Sequence, residues 1–120
     1  MSYCRFSSDN YRCDLYCYAS DRGFVTHVAG TRFVGDIPEV PPILSVPSDV
    51  WMEAHKAQRD FISTAERKRI GLPCDGANYT DDDLESFLVT VKGLLAMGYR
   101  GRPGLVEDIE DELKQLTPKP

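Results

Sequence analysis

The residues of this chain best suited to chemistry form an aromatic group and a basic group. Tyr16, Tyr18 and His27 carry rings that can stack on a flat ligand or anchor a protein interface. Arg100 and Arg102 lie in the loop Arg-Gly-Arg-Pro-Gly, just ahead of a predicted helix, where an anion can bind. A ligand that carries a phosphate suits both groups. In the alternative, structural interpretation, a terminal helix covers the rings and nearby acids pair with the arginines.

Cys74 and Asp75 form a third candidate site, in the loop 72–79. A reactive thiol needs an electropositive setting, and Asp75 supplies the opposite sign. We therefore interpret Cys74 as a partly buried loop cysteine. An enzyme that relies on Cys74 or His27 stays open as a further alternative, and we assign no catalytic residue.

The spacing of the four cysteines and two histidines argues against a zinc site. Structural zinc takes ligands in close pairs such as C-x2-C, whereas Cys13 and Cys17 have the spacing of a strand. At roughly 3.3 Å of rise per residue their sulfur atoms lie more than about 10 Å apart. The acids at 81–83 are typical of the first turn of a helix, where negative charge is favourable. We expect no metal and no cofactor.

A hairpin positions the aromatic group. Residues 14–19 and 24–29 alternate polar and apolar side chains around Ser-Asp-Arg-Gly, which predicts a hairpin with a four-residue loop. Leu15 then opposes Val28, and Tyr16 opposes His27. We expect thiols and aliphatic groups on the core face and the rings on the other face.

Further elements complete the sheet and lead out of it. Residues 3–6 predict a flanking strand, and residues 31–34 a continuation of the second hairpin arm past a bulge. Residues 1–34 thus form an antiparallel sheet of about three strands, whose free edges could pair two copies into a homodimer. Residues 35–47 hold four of the eight prolines and predict an extended connector, whose Pro-Pro pair could also serve as a polyproline II ligand.

Residues 48–116 predict two long helices and a shorter third one. The first is expected to begin with Ser48 as N-cap and to run to about Arg69. Thr80 and Asp83 have the spacing of a capping box for the second helix, which ends near Gly98. The apolar stripe of the first helix should cover the sheet. It consists of Val50, Ala54, Ala57, Phe61 and Ala65, widened by Trp51 and Ile62. The fold class is α+β, with residues 1–120 as one domain.

The charge distribution bears on partners. The net charge is −5, and residues 71–120 carry five basic and ten acidic side chains. Nucleic-acid binding through phosphates needs a basic surface, so we expect no nucleic-acid partner. No run of 18 apolar residues and no signal-peptide pattern is present, which predicts a cytoplasmic protein with reduced thiols and no membrane contact.

Three stretches of sequence carry a resemblance. They are Met-Ser-Tyr-Cys-Arg-Phe-Ser-Ser-Asp-Asn-Tyr-Arg-Cys-Asp-Leu-Tyr-Cys-Tyr at the start, Thr-His-Val-Ala-Gly at 26–30, and Gly-Leu-Pro-Cys-Asp-Gly at 71–76. In these stretches the chain resembles a group of small uncharacterised proteins of tailed bacteriophages and prophages. The resemblance spans most of the chain and implies an accessory phage product that acts inside a bacterium. It assigns chemistry to no residue.

Two functional hypotheses follow. The preferred one is a non-enzymatic phage accessory protein that inhibits or recruits a bacterial host or antiviral-defence protein. It rests on the aromatic sheet face, the acidic C-terminal half and the lack of a catalytic constellation. The alternative is a small-molecule binder that sequesters a nucleotide-like, phosphate-bearing signal through the rings and the loop of Arg100 and Arg102.

Overall fold

The fold is α+β, as a computed structural model of residues 2–116 shows. The structure contains six strands, three helices and a single helical turn, α1. The strands are β1 (Ser2–Cys4), β2 (Leu15–Ser20), β3 (Gly23–Val28), β4 (Thr31–Phe33), β5 (Arg67–Arg69) and β6 (Asn78–Asp81). The helical segments are α1 (Ser8–Tyr11), α2 (Ser48–Thr64), α3 (Leu84–Met97) and α4 (Leu105–Leu116).

The main sheet is antiparallel and has the strand order β1-β2-β3-β6. The predicted hairpin register is confirmed, because Leu15 pairs with Val28 and Tyr16 with His27. The pairing continues to Ser20 and Gly23, so the connecting loop has two residues, and the expected four-residue loop was wrong. A β-carbon on Gly23 would lie 2.4 Å from the backbone oxygen of Asp81, so β6 can pair here only beside a glycine.

Three strand predictions were wrong. Residues 31–33 do not continue the hairpin, because β4 pairs with β5 in a separate two-stranded sheet. The main sheet has four strands rather than about three, and it takes β6 from beyond residue 34. The segment 48–116, expected to be helical, therefore contributes both β5 and β6. The edges of the main sheet are β1 and β6, and a homodimer through such an edge stays a prediction.

Helices α3 and α4 cover the inner face of the main sheet. Phe87 is fully buried, and its ring stacks on Phe24 at a centroid distance of 5.2 Å and meets Tyr3 at 5.3 Å. Burial of such side chains is the main stabilising contribution to a fold of this size. The remaining buried apolar side chains are Cys4, Cys13, Leu15, Cys17, Val28, Leu84, Leu88, Val91, Leu94, Tyr99, Leu105 and Ile109.

Helix α2 does not cover the sheet, which corrects the sequence prediction. Its one buried side chain is that of Gln58, and Val50 in the predicted stripe is 46% exposed. Phe61 of the stripe packs instead on Phe33 of β4, at a ring distance of 6.3 Å. The sheet face is already taken by α3 and α4, so the stripe packs on the connector and the small sheet. The helix also ends at Thr64, ahead of β5.

The helix starts differ from the predicted caps. Pro47 occupies the N-cap position of α2, and Ser48 is its first helical residue. At α3 the cap is Asp83, whose carboxylate accepts a hydrogen bond from the Ser86 N–H at 2.7 Å, while Thr80 lies in β6. The capping box was therefore wrong, and the cap is a single aspartate.

The turn α1 fastens the connector and α2 to the sheet. Asp9, Asn10 and Tyr11 all have positive φ, between 50° and 65°, which is a costly conformation for residues other than glycine. The Asn10 side-chain oxygen accepts hydrogen bonds from Val40 N at 3.0 Å and from the Gln58 amide at 3.1 Å. These bonds hold the strained turn, and with it the residues that follow, against α2.

Candidate functional site

The outer face of the main sheet carries the aromatic group that the sequence predicted. Cys17 is fully buried on the inner face, while Tyr16, Tyr18 and His27 are half-buried on the other face. The Tyr16 ring lies 5.2 Å from that of Tyr18 and 6.0 Å from that of His27, in edge-on arrangements. We call these three residues the aromatic face. The predicted direction of the thiols and rings is confirmed.

His27 is fixed by hydrogen bonds from both ring nitrogens. Its Nε2 lies 3.1 Å from the Tyr18 hydroxyl, and its Nδ1 bonds the side-chain oxygen of Asn78 on β6. An imidazole held on both sides keeps one orientation, so this face is a rigid surface. Tyr3 of the neighbouring strand β1 is not part of this face, because its side chain lies in the core, where it is 2% exposed.

A cleft of about 890 Å³ opens beside the aromatic face. It lies between the turn α1, the small sheet, the connector and the loop that joins α3 to α4. Four arginines contribute to its wall, and we call it the arginine cleft. The wall is formed by Phe6, Tyr11, Arg12, Cys13, Asp14, Ala29, Gly30, Thr31, Arg32, Phe33, Gly35, Asp36, Ile37, Glu39, Ile62, Arg67 and Arg100.

Two of the four arginines are neutralised by acids of the same wall. Arg32 forms a forked pair with Asp14, with Nη2 2.6 Å and Nε 3.0 Å from the two carboxylate oxygens. The hydrogen bonds that Arg32 donates to Asp14 raise the pKa of Arg32 further above its usual value. Arg12 forms an ion pair and hydrogen bond with Glu39. These two arginines shape the cleft but have little charge left for a ligand.

Arg67 and Arg100 have free guanidinium groups. Within residues 2–116, neither side chain has a hydrogen-bond or ion-pair partner. The Arg67 guanidinium carbon lies 4.9 Å from the ring centre of Phe33, which orients the side chain by a cation–π contact. Arg100 is exposed, and its backbone N–H and C=O are both held by Asp14, at 2.8 and 2.7 Å. The cleft therefore presents two unpaired cations from well-positioned backbones.

Phe6 joins the cleft to the aromatic face. It lines the cleft, is 39% exposed, and its ring meets Tyr16 edge-on at 5.6 Å. The structure thus connects the rings of the hairpin with Arg100, the two features that the sequence singled out separately.

Arg102, the other arginine of the predicted anion loop, is occupied by structural contacts. Its guanidinium donates to the backbone oxygens of Tyr3 and Pro103 and forms an ion pair with Asp108. Its backbone N–H points to the Cys4 sulfur at 3.4 Å. Arg102 therefore fastens β1 to the start of α4 and is not part of the cleft wall, so the structure does not bring it into the cleft with Arg100.

Cys74 and Asp75 belong to a hydrogen-bonded loop rather than to the cleft. Burial opposes ionisation of Asp75, but N–H donors of Gly71 and Leu72 and the Tyr99 hydroxyl, at 2.7, 3.3 and 2.9 Å, lower its pKa. Burial and the same bond to Asp75 raise the pKa of Tyr99 to about 12. The Cys74 sulfur lies 3.6 Å from that of Met97, and no contact joins it to His27 among the described residues.

Most residues of the cleft were not among the site residues predicted from the sequence, and four of those left out form the charged pairs and cations described above. They are Arg12, Asp14, Arg32 and Arg67. For Asp14 the sequence did contain a signal. This residue directly precedes a strand whose alternation predicts burial, and a buried carboxylate needs a charged or hydrogen-bonding partner. Arg67 had no such signal, because it was assigned to the end of a helix that in fact stops at Thr64.

Comparison with known proteins finds no match to this chain among family models, curated proteins or solved structures. Within residues 2–116, no three His, Cys, Asp or Glu side chains come close enough together to hold one metal ion. No helix in this part of the chain is long and apolar enough to cross a bilayer. The cleft and the aromatic face are therefore the features of this protein that bear on its function.

Proposed function

We propose that this protein is a binding protein whose arginine cleft holds a small ligand with a phosphate and a planar ring. The observation that carries the proposal is the pair of unpaired guanidinium groups, Arg67 and Arg100, in one cleft of a protein with net charge −5. In an acidic protein, an anion binds most favourably next to a cation that no acidic side chain neutralises. The proposal favours the nucleotide-like ligand of the alternative hypothesis over a protein partner.

The size and chemistry of the cleft support this ligand class. A volume of about 890 Å³ lies within the range of roughly 300–1,000 Å³ that small-molecule sites occupy. A guanidinium group presents five N–H donors in a planar fork that matches phosphate oxygens. Phe6 and Tyr11 supply exposed and half-buried rings on the same wall, against which a base can stack. In this arrangement Arg67 and Arg100 bind the phosphate, and the rings bind the planar part.

A ligand-binding measurement tests the proposal directly. We expect ADP, ADP-ribose or a cyclic dinucleotide to raise the melting temperature, because a ligand at 100 times its Kd stabilises the folded state by about 2.7 kcal/mol. Adenosine and pyrophosphate, added separately, show which part is recognised. If no member of such a panel shifts the melting temperature or gives heat in calorimetry, this ligand class is ruled out.

Variants locate the binding in the cleft. Arg67→Gln and Arg100→Gln each remove charge-assisted hydrogen bonds worth about 1.5–3 kcal/mol, so each should weaken ligand binding roughly tenfold or more. Arg22→Gln is the matched control, because Arg22 is an exposed arginine in the β2–β3 turn and outside the cleft. Equal losses of affinity in all three variants would mean that ligand binding depends on the overall charge of the protein and not on this cleft.

A protein partner on the aromatic face is the second candidate function. Here the partner is a bacterial host or antiviral-defence protein, in keeping with the phage setting that the resemblance implies. The observation that favours it is a rigid, half-exposed cluster of two tyrosines and a histidine, since tyrosine is one of the residue types enriched at interfaces.

Substitutions separate the two candidates. Tyr16→Ala and Tyr18→Ala remove rings of the aromatic face and should release a captured host protein while small-ligand binding through Arg67 and Arg100 persists. Arg67→Gln should do the reverse. A host protein that is retained equally by all of these variants does not bind the aromatic face.

A further inference from the structure

Strands β5 and β6 each leave one edge open. Strand β5 pairs only with β4 in the small sheet, and β6 is an outer strand of the main sheet. The opposite edge of the main sheet, β1, is partly covered, because the Arg102 guanidinium donates to the Tyr3 backbone oxygen. An open edge presents unpaired N–H and C=O groups, onto which a further strand can pair.

The backbone groups of β5 that face away from β4 are those of Arg67 and Arg69. The Ile70 N–H donates to the Gly30 oxygen at 3.1 Å, so residue 70 points its backbone groups toward β4. Because this direction alternates along an antiparallel strand, Lys68 also points toward β4, and Arg67 and Arg69 point away from it. Within residues 2–116 these outward groups have no hydrogen-bond partner.

On β6 the outward backbone groups are those of Asn78 and Thr80. The Val28 N–H donates to the Ala77 oxygen at 2.8 Å, so residues 77, 79 and 81 point their backbone groups toward β3. The residues between them therefore point theirs outward. In the part of the chain that the structure describes, nothing bonds to these outward groups. Strands β5 and β6 thus have matching open ladders.

The two open edges carry opposite charges. Strand β5 reads Arg-Lys-Arg and is exposed throughout. Strand β6 ends at Asp81, and the exposed Asp82 follows it. One carboxylate oxygen of Asp81 is buried and has no hydrogen-bond partner within residues 2–116. Burial of a carboxylate oxygen without a partner is costly, so a cation brought to this edge stabilises it.

We propose that β5 of one copy of this chain pairs with β6 of a second copy, as an antiparallel strand that joins the two sheets. The alignment that matches the outward backbone groups places Lys68 opposite Asp81. It also places Arg67 opposite Asp82. Directly opposite side chains lie on the same face of a sheet, and opposite charges in such pairs are stabilising.

The charges favour this pairing over the pairing of two β5 strands. Two β5 strands side by side would place arginine and lysine opposite arginine and lysine, which is destabilising. Because the contact uses two different edges, it is heterologous, and the copies assemble head to tail. Neither Lys68 nor Asp82 is part of the wall of the arginine cleft, so the inference does not depend on the proposed ligand.

Sedimentation velocity of the full chain tests the inference. We expect the average mass to exceed the 13.5 kDa of one chain and to rise with protein concentration at low salt. Added salt should reverse the association, because it screens the charges of the two exposed edges. A protein that stays monomeric up to millimolar concentration at low salt would overturn the inference.

Charge reversal locates the contact. Lys68→Glu and Asp82→Lys should each weaken the association at least tenfold. An equimolar mixture of the two variants should associate again, because the unaltered β5 of the Asp82→Lys protein meets the unaltered β6 of the Lys68→Glu protein. Lys56→Glu is the matched control, since Lys56 is exposed on α2 and the charge change is the same. This control should associate as the unchanged protein does.

Three outcomes of these variants contradict the inference. They are association of either edge variant at unchanged strength, a mixture that stays monomeric, and a loss in Lys56→Glu as large as that in Lys68→Glu. Amide hydrogen exchange of the unchanged protein decides without any variant. Association should slow the exchange of the Arg69 and Thr80 amides, and protection confined to other amides would assign the contact to another surface.

Discussion

Replacing Asp14 by alanine is expected to lower the free energy of unfolding by about 3 kcal/mol. Its carboxylate is 2% exposed and accepts hydrogen bonds from the Arg32 guanidinium and from Arg100 N. Removal of one partner of a buried pair costs about 3–5 kcal/mol, because the other charge is left uncompensated. We take the lower end of that range because the Arg32 side chain is 30% exposed and can reach water.

Urea denaturation measures this loss. With a slope of about 2 kcal/mol per molar urea, the midpoint should fall by roughly 1.5 M. Asp111→Ala is the control, since Asp111 is exposed on α4 and should change the stability by less than about 0.5 kcal/mol. Equal midpoints for the Asp14 and Asp111 variants would show that the buried pair does not hold this side of the cleft.

Truncating Phe87 to alanine is expected to cost about 3–5 kcal/mol, the usual range for a fully buried phenylalanine. The ring is the contact between α3 and the sheet, where it packs on Phe24 and Tyr3 at 5.2 and 5.3 Å. Its loss leaves a cavity that well-packed neighbours fill only in part. This loss is a large share of the 5–15 kcal/mol that stabilises a typical domain.

The matched control for Phe87 lies on the same helix. Val89 is 67% exposed, so Val89→Ala removes methyl groups from α3 without opening a cavity and should change stability by less than about 1 kcal/mol. Near-UV circular dichroism and urea denaturation of both variants check the expectation. A Phe87 variant as stable as the Val89 variant would contradict the assigned core.

The hairpin could be predicted from the sequence because strand side chains alternate strictly and only one face is buried. A shift of one residue would move Leu15 and Cys17 to solvent and Tyr16 to the core, so the register is strongly determined. The buried face of α3 was predictable for a similar reason. Its apolar residues recur at helical spacing, at Leu84, Phe87, Leu88, Val91 and Leu94. The aromatic face followed directly from the hairpin.

The small sheet and the cleft could not be predicted in this way. The sequence Arg-Lys-Arg of β5 is exposed throughout and has no alternation, and its pairing with β4 joins segments that lie far apart in the chain. The apolar stripe of α2 was recognised from the sequence, but an apolar stripe does not show which surface of the protein it packs against. Because the cleft lies among these elements, Arg67 could be recognised only from the structure.

A two-dimensional NMR titration of the labelled protein with ADP, observing backbone amides and arginine side-chain Nε–H groups, shows directly whether a ligand binds in the arginine cleft. We expect the largest shifts at Arg67 and Arg100, with smaller ones at Phe6 and Tyr11, and we expect all of them to saturate together at one Kd. Shifts that leave both arginine side chains unmoved, or a spectrum unchanged at saturating ADP and ADP-ribose, would contradict this expectation.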